Sequence, residues 1–300
     1  ITVNLSDAGE ASGNSSLTFT SANWDTPQTV TVTGADDSII DGTITSIATV
    51  AVDDANSDND FDAVADQTVS VDTTDDDVAG FTIVELDGAT EVDESGTTDT
   101  FTVVLDAQPS DNVVIAMSSS DIGEATISGT ISFTPANWDT PQTITVTGVD
   151  ENTIDGDQTS TITITIVDSI SDSDFSNVAD QTVSAVTTDD DAAGFTIEET
   201  EGSTEVDESG TTDTFTVVLD AQPTSDVVLT IISDDTGEAT VNSPLTFTPA
   251  NWDTPQTVTV TGVDEDIVDG TITSTITIAV DDANSDDDFD GAADQTVSAD

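Results

Sequence analysis

The sequence has no lysine, no arginine and no histidine, while 63 of its 300 residues are Asp or Glu, for a formal charge of -63. Side-chain ion pairs are therefore excluded, and every counter-charge must come from solvent or bound cations. Two carboxylates about 4 Å apart repel by roughly 4 kcal/mol at an effective dielectric near 20, and a compact fold multiplies such pairs. Folding is expected to be coupled to cation binding. Cysteine is absent too, which excludes disulfides and thiolate chemistry, and without histidine the usual zinc or nickel site goes as well. Nucleic acid and anionic membrane surfaces would be repelled, and no apolar run is long enough to span a bilayer, so neither is expected as a partner of this segment.

Hydrophobic residues make up 35% of the chain, and they alternate with Thr and Ser as half-buried strands do. The expectation is folded β-structure with an acidic surface. The segment ANWDTPQT occurs three times, around Trp24, Trp138 and Trp252, at an interval of 114 residues in both steps. ADQTVS, beginning at Ala65, Ala179 and Ala293, and AGFTI, at Ala79 and Ala193, keep the same spacing. A period this long is a whole domain. Residues 1–77 read as a truncated repeat lacking the first two strands, 78–191 as a full repeat, and 192–300 as a nearly full one, cut near the end of its last strand.

Seven strands are predicted in the second repeat, bounded by Gly, Pro, Asn and Asp. They are A (80–86, continuing to 92), B (100–106), C (112–118), D (130–134), E (142–147), F (159–167) and G (181–187). Phe101, Val103 and Leu105 of B, Ile144 and Val146 of E, and Ile162, Ile164 and Ile166 of F point inward by the period of two. Thr fills most outward positions, favouring strands without adding charge. The predicted fold is all-β: tandem seven-stranded immunoglobulin-like sandwiches arranged end to end.

In such a sandwich the AB, CD and EF loops and the end of G share one pole. That pole collects Glu91, Asp93 and Glu94, then Asp121 and Glu124, then Asp150, Glu151 and Asp155, and last Asp189, Asp190 and Asp191. Among the same columns one period later are Glu208, Asp235, Asp264, Glu265 and Asp269, and the truncated copy holds Asp36, Asp37, Asp41, Asp75, Asp76 and Asp77. Hard oxygen donors on loops suit Ca²⁺, with its six to eight oxygen ligands, better than Mg²⁺. Any single Asp is read as solvated surface; convergence of four segments favours calcium for Glu94, Asp150, Asp189 and Asp190 and their counterparts. Asp121 and Asp155 fit either reading. A second acidic group, Asp168, Asp172 and Asp174 in the FG loop, lies at the opposite pole, where a shared interdomain ion and simple solvation are equally good accounts.

The glutamate and glycine of EVDESG (Glu94 and Gly96; Glu208 and Gly210), the hairpin FTPANWDTPQTITVTG, the acidic loop VDENTIDGD and the closing TTDDD together resemble the Calx-beta domain, in the form found in tandem in very large secreted bacterial adhesins. The resemblance implies calcium binding by Glu94, Asp150, Glu151 and Asp189 to Asp191 at the pole next to the following domain. Asp155-Gly156 departs from that family's pattern, which commonly has a Glu there. The expected function is a structural extender of a cell-surface adhesin, outside the cell and stiffened by calcium, with neighbouring repeats of the same chain as partners. The alternative is a subunit of an extracellular filament, sheath or surface layer in which identical chains associate. A sugar-binding role for the three Trp is less favoured than packing over the D–E corner, since there is no Tyr and a sugar face usually needs several aromatics. No enzyme is expected: the acids lie in solvent-facing loops with no His, Lys, Arg or Cys to complete a site.

Overall fold

The structure, a computed structural model, describes residues 1–266 and 270–300. The first repeat contributes β1 (Thr2–Leu5), β2 (Ala11–Gly13), β3 (Val32–Gly34), β4 (Ile44–Ala51) and β5 (Gln67–Thr73). The second contributes β6 (Phe81–Glu85), β7 (Thr90–Asp93), β8 (Thr98–Leu105), β9 (Val113–Ser119), β10 (Ala125–Ile127), β11 (Thr130–Phe133), β12 (Gln142–Gly148), β13 (Gln158–Ile166) and β14 (Gln181–Thr188). In the third are β15 (Phe195–Glu199), β16 (Thr212–Leu219), β17 (Val227–Ser233), β18 (Ala239–Val241), β19 (Leu245–Phe247), β20 (Gln256–Gly262), β21 (Ser274–Val280) and β22 (Gln295–Ala299).

The second repeat is a sandwich of a four-stranded sheet, β10-β12-β8-β6, and a five-stranded one, β11-β9-β13-β14-β7. The third repeats it with β15-β16-β20-β18 and β19-β17-β21-β22. Both are immunoglobulin-like all-β sandwiches. Strict alternation does this locally: Phe101, Val103 and Leu105 on β8 lie beside Ile144 and Val146 of the neighbouring β12 and share the core with Ile162, Ile164 and Ile166 on β13 of the other sheet, all buried in one cluster with Phe133 and Phe175. Each such aromatic or aliphatic side chain contributes about 1.5–3 kcal/mol on leaving water.

The strand count differs from the seven expected. Strand A is two strands in opposite sheets: β6 pairs with β8, and after a turn at Gly88 (φ +83°) β7 runs parallel to β14. Upstream of the expected strand D lies β10, on the other sheet beside β12, with the chain changing sheets at Ser128 and Gly129. Three-residue strands hold too few positions for a period of two to be read. The first repeat has only a three-stranded sheet, β1-β4-β5, and the pair β2-β3.

Trp138 and Trp252 pack at the margin of their cores, and their carbonyls accept from the amides of Leu105 and Leu219, both at 3.2 Å. Structural packing thus occupies these two indoles. Trp24, in the incomplete repeat, is exposed.

Candidate metal centre

The pole of the second repeat is organised around Glu94. Gly148 lets it form: a Cβ there would lie 2.0 Å from the Asp93 carbonyl oxygen, so only glycine allows the β7 turn to press against the end of β12. Gly96 (φ +87°) closes that turn, and the Asp93 carboxylate accepts from the amide and hydroxyl of Ser95. The Glu94 amide donates to Thr188, the last residue of β14, at 3.2 Å. Glu94 is thereby fixed one residue from Asp189.

The other loops are held as firmly. The Glu124 carbonyl accepts from the Val149 amide (2.9 Å) and from the Thr187 hydroxyl (3.3 Å). Asp189 clasps the EF loop through Oδ2, which accepts from the amides of Asp155 (3.2 Å) and Gly156 (2.8 Å), while its Oδ1 accepts from Asp191 (2.8 Å). In the first repeat Asp75 does the same for Asp41 (3.0 Å), Gly42 (2.8 Å) and Asp77 (2.8 Å).

Two groups of carboxylate oxygens result, each with all members within 4.8 Å of one another: Glu94, Glu124, Glu151 and Asp155, and Glu94, Asp189 and Asp191. Glu94 belongs to both and is 0% exposed. Neither of its carboxylate oxygens has a hydrogen-bond partner, and Glu124 Oε2, Glu151 Oε1 and Asp191 Oδ2 are also buried and unpartnered. Burying carboxylate oxygens without donors is costly, and facing them toward one another adds repulsion. Burial, with Asp189, Glu124, Glu151 and Asp155 behind it, pushes the Glu94 carboxyl up to about 7. Burial and neighbouring acids likewise raise Glu124, Glu151 and Asp191. A hard divalent cation in each group would supply the missing partners, and the all-oxygen donor set fits Ca²⁺.

Among the expected ligands, Glu94, Glu151, Asp155, Asp189 and Asp191 come together here. Glu124 joins them; the sequence placed it at this pole but did not single it out, because nothing in the pattern marks a CD-loop Glu as buried. Asp121, Asp150 and Asp190 are exposed and lie outside both groups, and Asp121 Oδ1 instead accepts from the Gly123 amide at 2.9 Å. In the third repeat Glu208 is exposed at the mouth of a cavity of about 570 Å³, which Asp207, Glu238, Gly270 and Asp300 also line. There Asp235 accepts from Gly237 as Asp121 does from Gly123, Asp264 is exposed and Glu265 half-buried. Asp269 falls outside the described residues. The pole of the first repeat gathers Glu10, Asp36, Asp37, Asp41, Asp75, Asp76 and Asp77 around a small cavity.

The FG acids divide. Asp172, 4% exposed, accepts at Oδ2 from the Ser110 amide (2.6 Å), the Ser110 hydroxyl (2.8 Å) and the Asp111 amide (2.8 Å), and at Oδ1 from Asp174 (3.1 Å). Asp286 does the same against Thr224, Ser225 and Asp288. These two are fold clamps whose donors are already protein groups, and neither belongs to a metal-ligand group among the described residues.

No family model matches the chain, and no curated protein matches it in sequence. Some solved structures show a low similarity to the chain. The calcium binding domain CBD12 of CALX1.1 is 15% identical over 66% of this chain and 80% of that one, with a TM-score of 0.29. Domains 4 and 5 of the S-layer protein SbsC are 15% identical over 73% and 96%, with a TM-score of 0.30. A longer piece of SbsC, domains 4–9, is 18% identical over 90% of this chain and 36% of its own length, at 0.31.

Proposed function

We propose that this chain is an extender: a series of β-sandwiches, stiffened by Ca²⁺ at the pole of each repeat, that holds a distal module away from a cell surface. The observation behind the reading is Glu94, fully buried with both carboxylate oxygens unpartnered and shared by two clusters of acids. A chain without a single basic side chain cannot neutralise that carboxylate itself. Two ions bridged by Glu94 would, and an extracellular setting, rich in free calcium, suits a fold that depends on them. The ligands would be Glu94, Glu124, Glu151, Asp155, Asp189 and Asp191. With strands of about ten residues at roughly 3.3 Å each, a sandwich and its linker span about 40 Å, so length grows with repeat number. Near-identity between repeats suits a part whose product is length.

The test is thermal unfolding of the chain by circular dichroism in EDTA, in excess Mg²⁺ and in millimolar Ca²⁺, with small-angle scattering on the same samples. A Ca²⁺-specific rise in melting temperature together with a longer, stiffer particle is expected. Identical stability and shape in EDTA and Ca²⁺ would overturn the reading and leave the acids as a solvated surface.

A further inference from the structure

The outer face of the sheet β10-β12-β8-β6 carries no charge. Register sets its rows: Thr145 lies opposite Thr100, and Thr143 opposite Thr102, which is itself opposite Val84. The ten outward positions on these four strands are eight Thr and two Val. That is a segregated surface in a chain of which 21% is Asp and Glu. Asp106, just past the end of β8, is engaged by the Thr82 hydroxyl at 2.7 Å. The outer face of the opposite sheet is different, because its edge strand β7 exposes Glu91.

One margin of the neutral face is apolar. Val84 and Leu86 are 49% and 60% exposed. One period later the same places hold Glu198 and Thr200, and the Thr200 hydroxyl donates to the Thr214 carbonyl at 2.7 Å. The edge of β6 beside these residues is largely closed to strand addition. The Asp106 amide donates to the Gly80 carbonyl (3.0 Å), so by alternation the backbone groups of Thr82 and Val84 face β8, and those of Phe81, Ile83 and Glu85 face outward. Of these, the Phe81 carbonyl accepts from Gln181 Nε2 (2.5 Å) and the Glu85 carbonyl from the Gly88 amide (3.4 Å). A partner is therefore met by the face of the sheet and not by its edge.

We propose that this outer face of the second repeat is a contact surface for a second copy of the chain, the two faces meeting across a twofold axis. Charge selects the occupant. Carboxylates only accept hydrogen bonds and repel one another, so the acidic poles and loops cannot meet their own kind directly, whereas a Thr hydroxyl both donates and accepts. A Thr face can thus pair with itself, and a twofold axis supplies the same face on the partner. A basic partner would be drawn to the acidic poles instead, and an acidic one is repelled. In the contact Val84 and Leu86 leave water, and two twisted sheets stack about 10 Å apart as they do inside a sandwich.

Area sets the strength. Four strands about 4.8 Å apart, the longest of eight residues at about 3.3 Å each, give roughly 400–500 Å² per copy. A standard interface buries about 800 Å² per partner, so one pair of faces makes a weak, reversible contact. The third repeat does not add to it, since Glu198 would set a carboxylate where Val84 stands.

The proposal is independent of the extender reading, and its test uses the full chain in millimolar Ca²⁺. Sedimentation equilibrium is run into the millimolar range of protein, at 0.1 M and at 1 M NaCl, where exposed charges are screened over about 10 Å and 3 Å. A rise toward the mass of a dimer is expected, stronger at the higher salt. Val84→Glu with Leu86→Thr, which installs the residue types of the third repeat, is expected to weaken association at least tenfold with melting temperature unchanged. Ile122→Thr and Ile170→Asn make the same kind of exchange at apolar residues 74% and 62% exposed elsewhere on this repeat, and should leave association intact. Glu198→Val should strengthen association by giving the third repeat a neutral face of its own. A monomer at every concentration, or association that persists in the Val84→Glu, Leu86→Thr chain, would overturn the proposal. So would association that dissolves at the higher salt, which is the behaviour of calcium bridges between acidic poles.

Discussion

The backbone carbonyl of Asn152 accepts a 2.6 Å hydrogen bond from the amide of Gln222, a residue of the next repeat. Thr153 forms a parallel bridge to the same Gln222, and Ile154 packs against the core of the third repeat. The contact is repeated upstream, where Ser38 accepts from Gln108 at 2.7 Å and Ile40 packs against the second core. Asn152, Thr153 and Ile154 lie between Glu151 and Asp155, so the loop that reaches the neighbour is flanked by two of the clustered carboxylates, and Asp189 holds its far end through the amides of Asp155 and Gly156. Ile154→Ala is expected to cost about 1–2 kcal/mol in the third repeat, less than a fully buried Ile because the side chain is half-buried. It should also broaden the scattering-derived distribution of lengths while leaving the calcium affinity of the second repeat within twofold. Unchanged scattering would show that the contact does not orient the repeats.

Glu94→Gln separates the cost of the buried charge from its use. Without metal the variant is expected to be more stable than the wild type, since an amide removes an uncompensated charge from a cluster of acids. With calcium the order reverses. A site occupied at about a hundredfold over its Kd contributes about 2.7 kcal/mol, which for a sandwich of this size is a rise of ~10–20 °C in melting temperature. The variant should lose most of that rise, read by calorimetry in EDTA and in Ca²⁺.

The pH response of the metal-free chain follows from the same residue. The Glu94 carboxyl titrates at about 7 in the folded protein, above its ordinary value of 4.5. Between those values the folded state binds more protons than the unfolded one, so stability falls as pH rises through this window. Metal-free protein is therefore expected to melt several degrees higher at pH 5 than at pH 8, by roughly 5 °C per kcal/mol gained. Saturating calcium should abolish or reverse that slope, because the ion favours the ionised form.

Much of this was legible in the sequence. Alternation alone identified Phe101, Val103, Leu105, Ile144, Val146 and the β13 isoleucines as core, because the period of two ties a strand residue's face to its place in the chain. The meeting of Glu94 with Glu151, Asp155, Asp189 and Asp191 followed from loop order in a sandwich. Burial of Glu124 was not legible, since it depends on Val149 and Thr187 holding its carbonyl across two strands. Nor was the role of Asp172 marked in an acidic loop: its donors, Ser110 and Asp111, lie about sixty residues upstream. The sheet change at Ser128 and Gly129 left no periodic trace, and the inter-repeat grip of Ile154 looked like one more apolar residue in a loop.

Asp172 supplies a test with the opposite sign to Glu94. Burial acts to raise its carboxyl, but the amides of Asp174 and Asp111 and the hydroxyl and amide of Ser110 outweigh that and hold it below the ordinary carboxylate value. A depressed carboxylate contributes stability that is present above the unfolded value and is lost as pH falls through the folded one. Acidification of the metal-free chain should therefore stabilise it first, as Glu94 takes up its proton, and destabilise it further down, as Asp172 and Asp286 take up theirs. Asp172→Asn replaces one acceptor oxygen with an amino group facing the donors of Ser110 or Asp174, and is expected to cost about 2–3 kcal/mol at neutral pH. Its calcium affinity should match the wild type, because the clamp sits at the pole away from Glu94. The second repeat's share of the acid limb, followed by the melting of Phe175 and its surroundings, should flatten while the limb near pH 7 persists. Loss of the neutral limb in Asp172→Asn would mean that the two acids are coupled through the fold and do not titrate as separate poles.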